Sequence, residues 1–186
     1  MSASRRSDDL ERARGQWTHR GDGRPTWAIE PKPGQESVWD YPRPPTLDPD
    51  SRLVRVVFTN MVIAETGRSI RVLETASPPT FYIPPDDVRT ELLMPGRGAS
   101  QCEWKGTASY WSLRIDPNEI TNVAWSYEDP NPEFTMIRGY LGFYPSKVQC
   151  YVDGNRVAPQ PGGFYGGWVT EEIVGPFKGE PGTGGW

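Results

Sequence analysis

The stretch Gln101–Leu113, QCEWKGTASYWSL, crowds a cysteine, a glutamate, a lysine, two tryptophans and a tyrosine into one β-prone run. A carboxylate and an ammonium beside large aromatic faces are the ingredients of an acid/base or polar-ligand site, because poor solvation shifts the protonation of both groups. Read as a hairpin bending near Gly106 to Ala108, strand alternation puts Cys102, Trp104 and Gly106 on one side and Glu103 and Lys105 on the other. On the returning strand Tyr110 and Ser112 face one way, while Ser109, Trp111 and Leu113 face the other; the register between the two strands is not readable. The plain structural account of the same residues has Trp104 and Trp111 packed in a core, with Glu103 and Lys105 as solvated charges. On that account Cys102, sharing a face with Trp104, is a small buried hydrophobe rather than a nucleophile.

A second carboxylate shifts the balance. Glu74 ends the run SIRVLE, and alternation from Ile70 sets it with Ile70 and Val72 on the inward face. A carboxylate there needs a partner. Lys105 or Arg71 would neutralise it and form a pair suited to a base or to a polar ligand. Alternatively, Glu74 would hold backbone amides ahead of the Ser77-Pro78-Pro79 corner, and the residues leave both readings open.

Other chemistry is excluded by what is missing. The single histidine, His19, falls in an N-terminal segment without apolar periodicity. Ser-His-Asp or Cys-His machinery is therefore not expected unless that segment folds in or another protein supplies the imidazole. Two cysteines, Cys102 and Cys150, with no CxxC pair fall short of a structural zinc site, and reduced thiols are expected of them. No metal site and no cofactor is expected. The glycine runs GGFYGG and GEPGTGG lack the strand before and the helix after that a phosphate cradle requires. A net charge of -4, with a pI near 5.1 and scattered basic residues, argues against nucleic acid as a partner. MSASRRSDDLERARGQW has no apolar stretch behind its arginine pair, and nowhere is there an apolar run of roughly 18 residues. These features predict a soluble cytoplasmic protein with no membrane partner.

The elements that must position the candidates are short. Gly and Pro number 20 each and hydrophobic residues make up 35%, so turns and extended coil take much of the chain. The 12% aromatic fraction compensates by burying large areas per residue. Residues 1–50 read as an extended or partly disordered arm: Asp8 to Arg14 would suit a short charged helix but lack an apolar face to dock it, which favours disorder or partial order, while Trp17, Trp27, Trp39 and Tyr41 are anchors that predict docking from about Trp27 onward. Residues 51–158 read as a β domain. LVRVVFT, MVIAE, SIRVLET and TFYIP are strands, DDVRTELLM is a short turn or edge segment in which Asp86 and Asp87 would cap a helical turn, and TNVAWSY follows the QCEWKG/SYWSLRI hairpin. One helix is predicted from about Glu133, with Phe134, Ile137, Tyr140 and Leu141 on its apolar face and Pro145 as its stop. KVQCYVDGNRV is a hairpin around Asp153-Gly154. Residues 159–186 form a Gly/Trp-rich segment docked on the domain. The fold class is mainly β with one short helix.

Taken together, VRVVFTNMVIAETGRSIRVLETASPPTFYIPPDDVR, CEWKGTASYWSL, NVAWSYEDPNPEFTMIRGYLGFYPSKV and FYGGWVTEEIVGPFKG closely resemble the DUF427 family, sometimes labelled nucleotidyltransferase-like. The resemblance spans about Leu53 to Val157, and PGQESVWDYPRPP with the C-terminal segment looks like the longer variety of that family. It implies compact antiparallel sheets similar to the Mss4-like or β-tent architecture, with a helix against the sheet. The paired cysteines of zinc-binding relatives are missing, so their metal is not carried over. The positions matching the family's motifs are Glu74, Tyr82, Cys102, Lys105, Tyr110, Trp125 and Tyr127.

The reading carried forward is a small-molecule-binding β domain whose pocket is walled by Tyr82, Tyr110, Trp104 or Trp111, Trp125 and Tyr127. If it is an enzyme, Glu74 serves as base or acid, Lys105 stabilises a developing anion, and Cys102 is the alternative nucleophile. Two alternatives stand beside it. One is a non-catalytic interaction module or homodimer built on the arm and the C-terminal segment. The other is metal-dependent nucleotidyl transfer, for which Asp86-Asp87 is the nearest carboxylate pair.

Overall fold

Short β-branched runs bounded by Gly, Pro, Asn and Asp become strands of at most 10 residues. The structure is a computed structural model that describes residues 3–186. After the helix α1 (Ala3–Gly15) come β1 (Glu36–Ser37), β2 (Thr46–Asp50), β3 (Val54–Phe58), β4 (Met61–Thr66), β5 (Ser69–Glu74) and β6 (Ser77–Ile83). The long hairpin follows as β7 (Leu93–Cys102) and β8 (Gly106–Ile115), then β9 (Asn118–Ser126) and β10 (Leu141–Phe143). β11 (Gln149–Val152), β12 (Asn155–Arg156), β13 (Ala158–Pro159), β14 (Trp168–Val169) and β15 (Ile173–Val174) complete the order.

One sheet has seven antiparallel strands in the order β2-β5-β6-β10-β9-β8-β7, and a second has four in the order β12-β11-β3-β4. They pack together through Val54, Val56, Ile63, Phe81, Ile83 and Phe143, all essentially without solvent exposure. Each large side chain buried this fully contributes roughly 1.5–3 kcal/mol relative to exposure. Because alternate side chains point to opposite faces, the same strands carry a second apolar face on the far side of the large sheet. Phe81 and Ile83 enter the main core, whereas Tyr82 between them joins Ile70, Val72, Trp125, Tyr127 and Ile137 in a second cluster. This second face carries the site described below.

Flanking segments close over the sheets. Trp168 on β14 is fully buried, stacks on Phe81 and donates its indole N–H to the Phe143 carbonyl at 3.0 Å. β1 pairs in parallel with β15, and Trp27, Trp39 and Trp186 gather from both ends of the chain into a third cluster. His19 packs edge-on against Trp27 and Trp39, at 5.9 and 5.2 Å between ring centroids. Among the described residues, no helix is long and apolar enough to cross a membrane.

Three local expectations are corrected. The Asp8 to Arg14 region is helical within α1, where Arg12 and Arg14 in the last turn complement the partial negative charge of the helix end. The helix expected from Glu133 is a 3₁₀ turn, Pro132–Ile137, and Leu141 starts β10. Gly139, at φ +69°, ends the turn, after which Leu141 and Gly142 pair with Ile83 and Tyr82 across the sheet. The hairpin bends at Glu103–Lys105, earlier than Gly106 to Ala108, because β7 and β8 pair as far as Cys102 and Gly106. The Asp153-Gly154 turn forms as its residues predict, both of them at positive φ.

Candidate functional site

On the second face of the large sheet lies a cavity of about 220 Å³. β5 supplies Glu74, β6 Tyr82, and the end of β7 Cys102. The hairpin bend supplies Trp104 and Lys105, β8 Tyr110 and β9 Trp125. Tyr127, just past β9, is the last of the eight residues singled out from the sequence, and all eight line this one cavity. Trp111, weighed as an alternative wall, faces the main core instead and donates its indole N–H to Ser126 Oγ at 2.7 Å. Asp86 and Asp87 lie outside the cavity, in a 3₁₀ turn paired with Arg68.

The bend overturns the alternation expected for Glu103 and Lys105. Alternation holds only while the chain stays extended, and the three-residue turn lets Lys105 rotate back beside Cys102. The Lys105 backbone N–H donates to Cys102 Sγ at 3.5 Å, and its ammonium lies 4.0 Å from Glu74 Oε2. Burial alone would lower the Lys105 pKa. The charge influence of Cys102 and then of Glu74 outweighs burial and holds it above the ordinary lysine range, so the side chain stays an ammonium.

Glu74 has a second cationic partner, and it is not Arg71. Arg71 is taken by Glu36, Asp48 and Asp50. The partner is Arg43, whose fully buried side chain brings Nε to 3.3 Å from Glu74 Oε1. Its other nitrogens donate to the carbonyls of His19 at 2.9 Å and Thr75 at 2.7 Å. Nε itself is too poorly aligned on Glu74 to count as hydrogen-bonded, and burial depresses the guanidinium's pKa despite the carboxylate. Of the two roles left open for Glu74, geometry favours the paired carboxylate on the cavity wall over a turn-fixing one.

The aromatic wall is internally bonded. Trp125 donates its indole N–H to the Tyr82 hydroxyl at 3.0 Å, and Tyr110 donates to Ser100 Oγ at 2.9 Å. Burial pushes the Tyr82 phenol up to about 12 and Tyr127 well above its ordinary value, so both stay neutral donors at physiological pH. Trp104 differs: its buried indole N–H has no hydrogen-bond partner among the described residues.

Several wall residues were not anticipated. Trp17 comes from the arm, donating its indole N–H to Glu103 Oε1 at 2.7 Å, while Arg14 donates to the Glu103 carbonyl at 2.9 Å. Gln160, Tyr165 and Lys178 come from the C-terminal segment, with Phe164, 65% exposed, at the mouth. The signal available for them was composition alone, since Trp and Lys in a Gly/Pro-rich segment carry no periodicity that would place them. His19, despite the folded arm, packs among tryptophans and does not line the cavity.

A family model described as a domain of unknown function, DUF427, matches residues 46–154, more than half of the chain. No curated protein matches the chain.

Proposed function

The chain belongs to the DUF427 family, and from that premise we propose that its cavity binds a small molecule with a flat ring and a polar or anionic substituent, and acts on it by acid/base chemistry. The observation that carries this reading is the segregation of the wall. Aromatic faces occupy one part, while Glu74, Lys105 and Cys102 stand together against it, paired with each other and with Arg43. A half-buried carboxylate flanked by two cations is a poor stabiliser compared with apolar packing, which favours a functional reading of the cluster. Glu74 is the group that takes the proton. Lys105, kept as an ammonium, is the group that stabilises the anion so formed. Cys102, beside Lys105, is the alternative nucleophile.

Native mass spectrometry of gently purified protein, followed by denaturing mass on the same sample, tests for a retained non-covalent ligand. Binding of 4-hydroxybenzoate, followed by quenching of tryptophan fluorescence, tests the polar corner. Lys105→Met is expected to weaken it about tenfold or more, the value of one lost charge-assisted hydrogen bond. Equal affinity in Lys105→Met and Glu74→Gln would remove these residues from the site.

A further inference from the structure

The cavity holds two lysines in opposite settings. Lys105 has a carboxylate beside it, whereas Lys178, only 2% exposed, pairs with no Asp or Glu side chain among the described residues. Its Nζ lies 3.5 Å from the centroid of the Trp17 ring and 5.3 Å from that of Tyr165. Among the described residues, the acceptor within hydrogen-bond distance of it is the backbone oxygen of Trp186 at 3.5 Å, the outer limit of a hydrogen bond. Its backbone is tied down on both sides, the N–H donating to the Ala76 carbonyl at 2.7 Å and the carbonyl accepting from Gln160 Nε2 at 2.8 Å.

The Trp17 face attracts an ammonium. Burial acts against it, and with the Arg43 guanidinium it brings the Lys178 pKa down to about 8 despite the raising influence of Glu74. Burial of an amine with no Asp or Glu partner among the described residues brings no stability that an apolar side chain of similar length would not supply at lower cost. It does make the neutral, nucleophilic amine available near neutral pH. Environments that push two like groups apart in pKa assign them different tasks: Lys105 as the permanent cation, Lys178 as the amine.

We propose that Lys178 is a nucleophile that condenses reversibly with the carbonyl group of a small aromatic aldehyde or ketone held in the cavity, an inference that rests on the small-molecule reading above. The ligand class follows from the walls. Tyr82, Tyr110, Trp125 and Tyr144 offer ring faces, and about 220 Å³ is below the size of pockets that hold drug-sized ligands. In the reaction, the Nζ lone pair attacks the carbonyl carbon and the C=O π pair moves to oxygen. That oxygen takes up a proton from solvent water and the nitrogen gives one to the Glu74 carboxylate, leaving a neutral carbinolamine. Glu74 then returns its proton to the hydroxyl, the C–O bond breaks, and water leaves as the nitrogen lone pair forms C=N, giving a protonated imine that carries the proton taken from solvent. Nothing is oxidised or reduced.

The chain has four lysines, Lys32, Lys105, Lys147 and Lys178, so the site of condensation can be read directly. Full-length protein is treated with benzaldehyde and sodium cyanoborohydride, which reduces the imine to a stable benzylamine, and the adduct is mapped by peptide mass spectrometry. Labelling of Lys178 is expected about tenfold or more faster than that of Lys32 and Lys147, reflecting its larger neutral fraction. Its rate should rise with pH to a midpoint near the about 8 set by its surroundings. Lys178→Arg should lose the fast label, Lys147→Arg should keep it, and circular dichroism verifies that both fold. Labelling of Lys178 no faster than of the exposed lysines overturns the inference, as does fast labelling that moves to Lys105. Benzyl alcohol, which cannot condense, separates the two failures. Its binding without fast labelling removes Lys178 as nucleophile and leaves the cavity reading standing, whereas neither binding nor labelling removes both.

Discussion

Glu74 and Arg43 show how a single side chain ties stability to the site. Arg43 is buried with one aligned carbonyl on each terminal nitrogen and Glu74 as its charge partner. Glu74→Gln keeps the shape and removes the charge, stranding a guanidinium in the interior; a loss of about 3 kcal/mol is expected in urea denaturation at neutral pH. A loss below about 1 kcal/mol would mean that solvent screens the pair. Lys178 gives a pH signature of its own. Its pKa falls from 10.5 in the ordinary state to about 8 in the fold. Between those values the unfolded chain binds a proton here that the folded chain does not, so stability is gained as pH rises through that window. Below it both states are protonated and the folded state bears the cost of the buried charge. The stability of Lys178→Met relative to wild type, measured at about pH 7 and about pH 10, should therefore move in favour of wild type at the higher pH.

At the scale of elements, the cavity depends on where strands stop. β10 is only three residues long, yet it joins β6 to β9 and so sets Tyr82 and Trp125 side by side. Gly142 in its centre leaves room for the Trp125 ring: a Cβ there would sit 2.7 Å from the indole. Gly142→Ala is expected to push Trp125 from its bond to Tyr82 and to cost about 1–3 kcal/mol by overpacking. Thermal denaturation reads the cost, and tryptophan fluorescence reads the displaced ring; unchanged values in both would show that the sheet yields at β10. The periodicity that pointed to a helix here was real, since Phe134 and Ile137 are buried, but the same positions fit one 3₁₀ turn followed by a strand. Periodicity over so few residues does not separate the two. The hairpin bend is the complementary case, where moving the turn to Glu103–Lys105 brings Lys105 to the carboxylate that strand alternation had set apart from it.

Across the whole molecule, both ends of the chain return to the same place. Trp39 is fully buried against Trp27 and Trp186 and donates its indole N–H to the Pro176 carbonyl at 3.0 Å. Trp39→Ala should cost about 3–5 kcal/mol, as for other fully buried large aromatics. It should also raise amide exchange in residues 17–30 and 173–186 ahead of the sheets. Uniform loss of protection would indicate instead that these segments unfold only with the core. Because Trp17 and Lys178 enter the cavity from those segments, the family-matching region 46–154 supplies most of the wall but not the second lysine.

From residue types alone came the mainly β class, the strand runs and the Asp153-Gly154 turn, by local physics: β-branched and aromatic side chains favour pleated strands, and positive φ favours Asp-Gly. Most of the candidates that the fold gathers around one cavity came instead from the family resemblance. The tertiary structure alone decided that Glu74 meets Arg43 rather than Arg71, that Lys105 turns inward, and that Lys178 has no Asp or Glu partner among the described residues. Each of these depends on contacts between residues far apart in the chain. Register, turn position and the return of the termini fix such contacts through the energy of the whole fold, which no short window of sequence contains.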